Sequence, residues 1–257
     1  MDLHRRKFVQ MVAGGLAAAT IARPTLSQAR MPQYHAIAFD AFPIFDPRPV
    51  FQLVKYLYPE QGEKFSVLWR SRIFEYTWLR VSAHRYKDFW SCIDDALTFT
   101  ANHLKLKLLE SHRHQLMQAF LHLEPYPDVV ASMEELKSRG IKLAFLSNMT
   151  DSMLHSNIKH GKLDRYIDQV ISTELAKTFK PDPRAYRLGL EKLGMKKEHI
   201  LFAAFASWDA VGARWFGYPT VWVNRLNFTP ESLDVAVDHV GPDLAVVLDR
   251  CNTSRSG

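Results

Sequence analysis

Asp40 closes the run Tyr34–His35–Ala36–Ile37–Ala38–Phe39 and is followed by Ala41 and Phe42. Apolar residues that end abruptly in an acid read as a buried strand with a carboxylate at its C-terminal tip. Open α/β sheets bind ligands at that edge. A carboxylate held there can act as a nucleophile and form a covalent ester. Three more polar groups follow in similar places. Ser147–Asn148 ends the apolar run Ile141–Leu146, Lys180 lies in Phe179–Lys180–Pro181–Asp182, and Asp209 lies in Ser207–Trp208–Asp209. Each has an ordinary explanation on its own. Ser–Asn before a helix is commonly a cap, Lys–Pro–Asp is a plausible turn, and Asp209 would favour the dipole of a helix it begins. Four such groups in order at successive strand ends point instead to one site, with two carboxylates, an ammonium and a hydroxyl.

These groups need a sheet to hold them. After the first strand, the next strand-like segment is Ile141–Leu146, and the stretch between them is helical in pattern. Phe65, Leu68, Trp69, Arg72, Ile73, Tyr76 and Leu79 recur at steps of three and four. Helical patterns continue through Phe89–Leu104 and Ser111–Leu123. Tyr126–Pro127 then leads into a helix over Val129–Ser138, closed by Gly140. Beyond Ile141, strands are expected at Gln169–Ser172, Ile200–Phe205, Thr220–Val223 and Leu244–Leu248. Helices are expected at Ser152–His160, Pro183–Leu193 and Ser207–Phe216. The alternation predicts a doubly wound, mostly parallel α/β sheet with a helical cap inserted after its first strand. The expected divisions are a core over 30–48 and 125–257 and a cap over 49–124.

The 257 residues, 47% hydrophobic and 23% charged, suit one α/β unit with an insertion or two small domains. Half of the formal charge of +6 sits in residues 1–29, where Arg5, Arg6, Lys7 and Arg23 oppose Asp2. The modest remainder forms no basic stripe, so nucleic acid is not an expected partner, although a mild positive potential favours small anions. Cys92 and Cys251 stand far apart in no ligand-like spacing and are expected as thiols.

Residues 1–29 read as a targeting segment. Arg5–Arg6 precedes the uncharged run Met11–Ala22, and Ser27–Gln28–Ala29 offers a small-x-small cleavage site. This is the pattern of a secretory signal, and the paired arginines point to the twin-arginine route. Twelve apolar residues are too few for a comfortable span. The expected mature protein is therefore periplasmic, starts at Arg30 and keeps no stable membrane anchor.

The order Asp, Ser, Lys, acidic loop resembles the haloacid dehalogenase superfamily, and the resemblance runs from Tyr34 to Arg250. Leu68–Trp69–Arg70, Glu75–Tyr76–Thr77–Trp78–Leu79–Arg80 and Arg85–Tyr86–Lys87–Asp88–Phe89–Trp90 are similar to the L-2-haloacid dehalogenases within it. So are Leu146–Ser147–Asn148, Lys180–Pro181–Asp182, Trp208–Asp209–Ala210, Gly212–Ala213–Arg214 and Trp222–Val223–Asn224–Arg225.

The resemblance implies a superfamily core with a helical cap, and hydrolysis of short (S)-2-haloalkanoic acids to (R)-2-hydroxy acids through an aspartyl ester. Asp40 would be the nucleophile. Arg70 would meet the halide and the substrate anion, and Ser147 and Asn148 the substrate carboxylate. Lys180 would keep Asp40 ionised, Asp209 would orient or activate water, and Tyr186 would join the substrate site as the family's tyrosine. Phe42, Phe74, Phe89 and Trp208 would line an apolar pocket. No cofactor and no metal are implied, and a homodimer is one open assembly.

Phe42 carries part of this reading. A phosphatase of the superfamily needs an acid there to protonate its leaving alkoxide and to help seat Mg²⁺, whereas halide leaves without a proton. The chain also departs from the family pattern. Phe42–Pro43–Ile44–Phe45–Asp46 is one residue shorter than the usual loop and lacks its Gly and Thr, and Ala204 and Ala206 stand where Ser and Asn are usual. Two other readings are a hydrolase of another small substrate such as a phosphate ester, and a catalytically weak periplasmic binding relative.

Overall fold

Five parallel neighbours flank or extend the strand that carries Asp40. β1 (Ala36–Phe39) pairs on one side with β2 (Lys142–Ser147), which pairs with β3 (Gln169–Ser172). On its other side lie β4 (Ile200–Ala204), β5 (Thr220–Val223) and β6 (Val240–Gly241). The order is β3-β2-β1-β4-β5-β6, every pair parallel. The chain reverses its direction of travel across the sheet between β1 and β4, and in such sheets the crevice beyond the strand ends at that point receives the ligand. The computed structural model describes residues 34–237 and 239–252. The expected signal segment and its cleavage site at Ala29 lie outside the described residues. Among the described residues no helix is long and apolar enough to cross a membrane.

Both faces of the sheet are covered, which is why β1 reads as an unbroken apolar run. Alternate side chains point to opposite faces. Ile37, Phe39, Leu143, Phe145, Leu201 and Ala203 enter one core, and Ala36, Ala38, Ala144, Leu146, Phe202 and Ala204 enter the other. The second face is covered by α7 (Pro183–Leu193) and α8 (Ser207–Phe216). The first core continues into the helices inserted after β1, so sheet and insertion share one apolar interior.

That insertion comprises α1 (Arg48–Leu57), α2 (Gly62–Ser82), α3 (Phe89–His103) and α4 (Glu110–Ala119). α2 buries Phe65, Trp69, Ile73 and Thr77, a stripe of four-residue steps, while Leu79 is exposed. α3 starts where Asp88 accepts a hydrogen bond from the Ser91 N–H at 2.7 Å. The two chain crossings that lead into and out of the insertion pair with each other. Asp46 N–H donates to the Glu124 carbonyl at 2.8 Å, and Tyr126 N–H to the Ile44 carbonyl at 3.0 Å. α5 (Val129–Ser138) follows and ends at Arg139–Gly140, where glycine takes a φ of +74°. α6 (Asp151–His160) lies between β2 and β3.

One expected strand is a helix. Leu244–Leu248 was read as β, but α9 covers Ala245–Asn252. An apolar run of five does not distinguish the two by periodicity. Burial does: Leu244 and Val247 are fully enclosed and three apart, while Ala245 faces solvent. Asp243 accepts from the Ala245 N–H at 2.9 Å and starts the turn. The edge strand falls earlier, at Val240–Gly241.

Candidate active site

β1 delivers Asp40 to the crevice, and its backbone N–H still donates to the Ala203 carbonyl of β4 at 3.0 Å. Its two carboxylate oxygens face different partners. Oδ1 accepts from Lys180 Nζ at 2.9 Å and from Ser147 Oγ at 3.3 Å. Oδ2 accepts from the Phe42 N–H at 3.3 Å. Lys180 Nζ also donates to Asp209 Oδ2 at 2.6 Å. An ammonium thus sits between two carboxylates, with the Phe202 ring 5.0 Å away. Lys180 and Asp209 are each 1% exposed and Asp40 is 8% exposed.

The ordinary explanations of these residues go to their neighbours. Thr150 is the cap of α6, accepting from the Met153 N–H at 3.2 Å, so Ser147 and Asn148 are free to face the site. Asp182 is the cap of α7, accepting from the Arg184 N–H at 2.8 Å, so Lys180 is free to reach the carboxylates. Asn148 Oδ1 accepts from the Lys180 N–H at 2.9 Å and from Thr173 Oγ1 at 3.2 Å. It thereby fixes the backbone from which the ammonium extends.

Burial pulls the Lys180 pKa down, but Asp209 and Asp40 outweigh it and hold the ammonium above its ordinary value. Burial pushes Asp209 up to about 6, against the lowering pull of Lys180. Tyr186 Oη donates to Asp209 Oδ1 at 2.7 Å, and burial beside that acid raises its phenol well above the usual range. Tyr218 Oη in turn donates to the Tyr186 carbonyl at 2.9 Å. Gly212 leaves room for this stack: a Cβ there would lie 2.5 Å from Tyr186 Oη and 2.6 Å from Pro181 Cβ.

A cavity of about 370 Å³ opens over this network. Asp40, Asp209, Ser147 and Asn148 line it, as do the expected Arg70, Phe42, Phe74, Phe89 and Trp208. Tyr186 does not. It was expected at the substrate, but it lies behind Asp209, fully buried, and touches the cavity only through that carboxylate. Its sequence position in α7 gave no sign of which side of Asp209 it would approach.

The walls are aromatic. Phe42 packs on Phe205 at 5.7 Å and Phe205 on Phe228 at 6.4 Å. Phe74 meets Trp208 at 5.4 Å, Phe89 at 6.3 Å and Trp78 at 6.3 Å. Arg70 stands over the Phe228 ring at 5.3 Å, with no hydrogen bond or ion pair to another described side chain. Among the described residues this cation at the cavity has no ion-pair partner. Phe205, Phe228 and Trp78 were not singled out from the sequence. Phe228 comes from the irregular segment after β5, where no periodicity marks it.

The loop after Asp40 has its own anchor. Arg225, beyond β5, donates from Nη2 and Nε to the Pro43 carbonyl at 2.7 and 3.1 Å, and from Nη1 to Asp128 Oδ1 at 2.7 Å. Its guanidinium covers the Tyr126 ring at 4.2 Å. Asp128 Oδ2 accepts from the Leu244 N–H at 2.9 Å. The donor set at the site does not suit a divalent cation. Lys180 fills the space between the carboxylates, Phe42 offers no oxygen from its side chain, and among the described residues no three His, Cys, Asp or Glu side chains could hold a metal ion.

Residues 84–223 match the haloacid dehalogenase-like hydrolase family. An (S)-2-haloacid dehalogenase of Pseudomonas putida is 38% identical over 216 residues, 84% of this chain and 95% of its own. A crystal structure of an L-2-haloacid dehalogenase superposes with a TM-score of 0.83 at 34% identity, covering 86% of this chain and all of its own. The L-2-haloacid dehalogenase of Xanthobacter autotrophicus, solved with chloropropionic acid covalently bound, superposes at 0.78 with 31% identity over 86% of this chain and all of its own.

Proposed function

The chain belongs to the haloacid dehalogenase-like hydrolases, and within them to the L-2-haloacid dehalogenases; from that premise we propose that it hydrolyses (S)-2-haloalkanoic acids to (R)-2-hydroxy acids. The observation that carries this reading is the unequal engagement of the two Asp40 oxygens. Oδ2 holds a single backbone N–H and is the free nucleophile. It attacks C2 of the substrate, the new C–O bond forms as the C–halogen bond breaks, and halide leaves with the bonding electron pair. Backside attack inverts C2.

Oδ1 then becomes the carbonyl oxygen of the ester. Lys180 and Ser147 already donate to it, so both are in place for the oxyanion that forms when water attacks the ester carbon. Asp209, held at about pKa 6, accepts the water proton. Collapse breaks the bond between the ester carbon and its alkyl oxygen, the alkoxide takes a proton back from Asp209, and Asp40, losing the proton of the added hydroxyl to solvent, is restored as a carboxylate. Arg70, which has no ion-pair partner among the described residues, pairs with the substrate carboxylate or the departing halide. Phe42 supplies no acid, and none is needed for halide.

Metal independence and the identity of the site residues are part of this proposal. Phe42, which stands where a phosphatase needs an acid, supports it. The test is halide release from the two enantiomers of 2-chloropropionate in excess chelator. Release from the (S) form alone, unaffected by chelation, is expected. Loss of activity on chelation with recovery in Mg²⁺ would return the chain to phosphoryl chemistry. Residues 1–29 further support twin-arginine export to the periplasm, with the mature protein starting at Arg30.

A further inference from the structure

Ser71, Ser147, Ser207 and Thr229 bring hydroxyl groups to the cavity. A hydroxyl has one proton to donate and two lone pairs with which to accept. Ser147, expected at the substrate carboxylate, gives its proton to Asp40 Oδ1 at 3.3 Å and accepts from the Met149 N–H at 3.3 Å. Ser71 and Thr229 are exposed and can meet water. Ser207, at the start of α8, is 7% exposed. Its Oγ accepts from the Glu231 N–H at 2.8 Å, and no described group accepts its proton. A buried donor left unpaired costs stability, and Ala206 beside it brings only a methyl group to the cavity.

The bond to Glu231 also fixes what Ser207 stands near. Glu231 lies three residues beyond Phe228, whose ring is under Arg70 at 5.3 Å. Asn224 holds both backbone groups of Phe228, accepting from its N–H at 2.8 Å and donating to its carbonyl at 2.9 Å. One short segment thus hydrogen-bonds Ser207 and packs under the Arg70 guanidinium. The first two N–H groups of α8, on Ser207 and Trp208, likewise have no described acceptor, which suits an anion at that end of the helix. A carboxylate has two oxygens to divide between a guanidinium and a hydroxyl, whereas a halide is a single atom.

We propose that Ser207 is a specificity-determining residue, whose hydroxyl donates to the substrate carboxylate while Arg70 pairs with the other oxygen. The inference rests on the dehalogenase reading and leaves its covalent steps unchanged. The test is inhibition of (R)-lactate formation from (S)-2-chloropropionate by propionate, which has the carboxylate without a halogen, and by bromide, which is a halide alone. Ser207→Ala should raise the Ki of propionate about tenfold or more, the loss expected on removing a hydrogen bond to a charged group, and leave that of bromide within about twofold. An unchanged propionate Ki, a weakening confined to bromide, or an equal weakening of both overturns the inference, the last because it makes Ser207 a tie for Glu231 alone. Ser207→Cys keeps the size but is a weak donor. It should show the same selective loss, and it decides by the same outcomes if Ser207→Ala does not fold. If the wild type yields no lactate, the dehalogenase reading fails on its own, and calorimetric titration of wild type and variant with propionate and with bromide decides Ser207. Selective loss of propionate affinity supports the proposal, and equal affinity in the two proteins, or no propionate binding to the wild type, overturns it.

Discussion

Asp40 differs from an ordinary strand-end acid in what surrounds it: one oxygen bound by two side chains, the other nearly free. Asp40→Asn should therefore abolish turnover, since an amide cannot carry the ester. In a single turnover of the wild type in heavy-oxygen water, mass spectrometry should find the label in Asp40 before product. Labelled product with unlabelled Asp40 would mean that water attacks C2 itself. Asp209 sets the acid side of the pH profile. Burial raises it, so it is neutral below about pH 6 and cannot take a proton from water. Activity should rise with pH through about 6 and then level, and Asp209→Asn should let the ester accumulate at every pH. A profile flat down to pH 4 would remove Asp209 from the proton path. Lys180→Ala and Arg70→Ala should fail differently. The first leaves two buried carboxylates facing each other and removes the oxyanion partner, costing a hundredfold or more in kcat. The second should chiefly raise KM. Steady-state kinetics on both separates the roles, and near-normal kinetics in both would refute the assignment. The polar members of this network were legible because each follows a strand, where sequence and chemistry coincide. Thr150 and Asp182 were the clue that could have settled the capping question in advance, since one residue caps each helix and both were available.

At the scale of elements, the short loop after β1 has lost the Gly and Thr usual in the family, yet it is not loose. Arg225 holds the Pro43 carbonyl through two hydrogen bonds, and the Phe42 N–H one residue earlier holds Asp40. Arg225→Ala would strand a partly buried carboxylate, Asp128, and a loop carbonyl. A stability loss of about 1–3 kcal/mol follows from unpairing such groups, readable by thermal or urea unfolding. A fall in kcat with KM little changed should accompany it, and Arg225→Lys should recover stability more than kcat, because an ammonium cannot reproduce the planar fork. Unchanged kcat in the Ala variant would make Arg225 a structural tie alone. This anchor was hidden in the sequence, which brings positions 43, 128 and 225 together only through the fold. Strands with long covered runs were legible for the opposite reason: burial on both faces leaves a continuous apolar signature. At the periphery, where burial is one-sided, that signature fails, and α9 was mistaken for a strand.

Across the whole molecule, β1 starts at Ala36, beyond the expected cleavage point at Ala29, so removing the segment before Arg30 should leave β1 intact. Arg5→Lys with Arg6→Lys keeps the charge but not the paired guanidinium groups, and should leave the precursor in the cytoplasm. Cell fractionation with N-terminal sequencing measures it, and an intact Met1 on soluble protein would refute export without touching the chemistry. The strand order carries a consequence for how the protein is made. β1 emerges from the ribosome first of all the strands, yet its neighbours start at Lys142 and Ile200. Closing loops of that length is slow and brings no reward until the distant strand arrives. Asp40 must wait 140 residues for Lys180 and longer for Asp209. The nucleophile is thus translated early and armed last, and a chain released short of β4 carries the reactive aspartate without the strand that holds its backbone N–H and without Asp209.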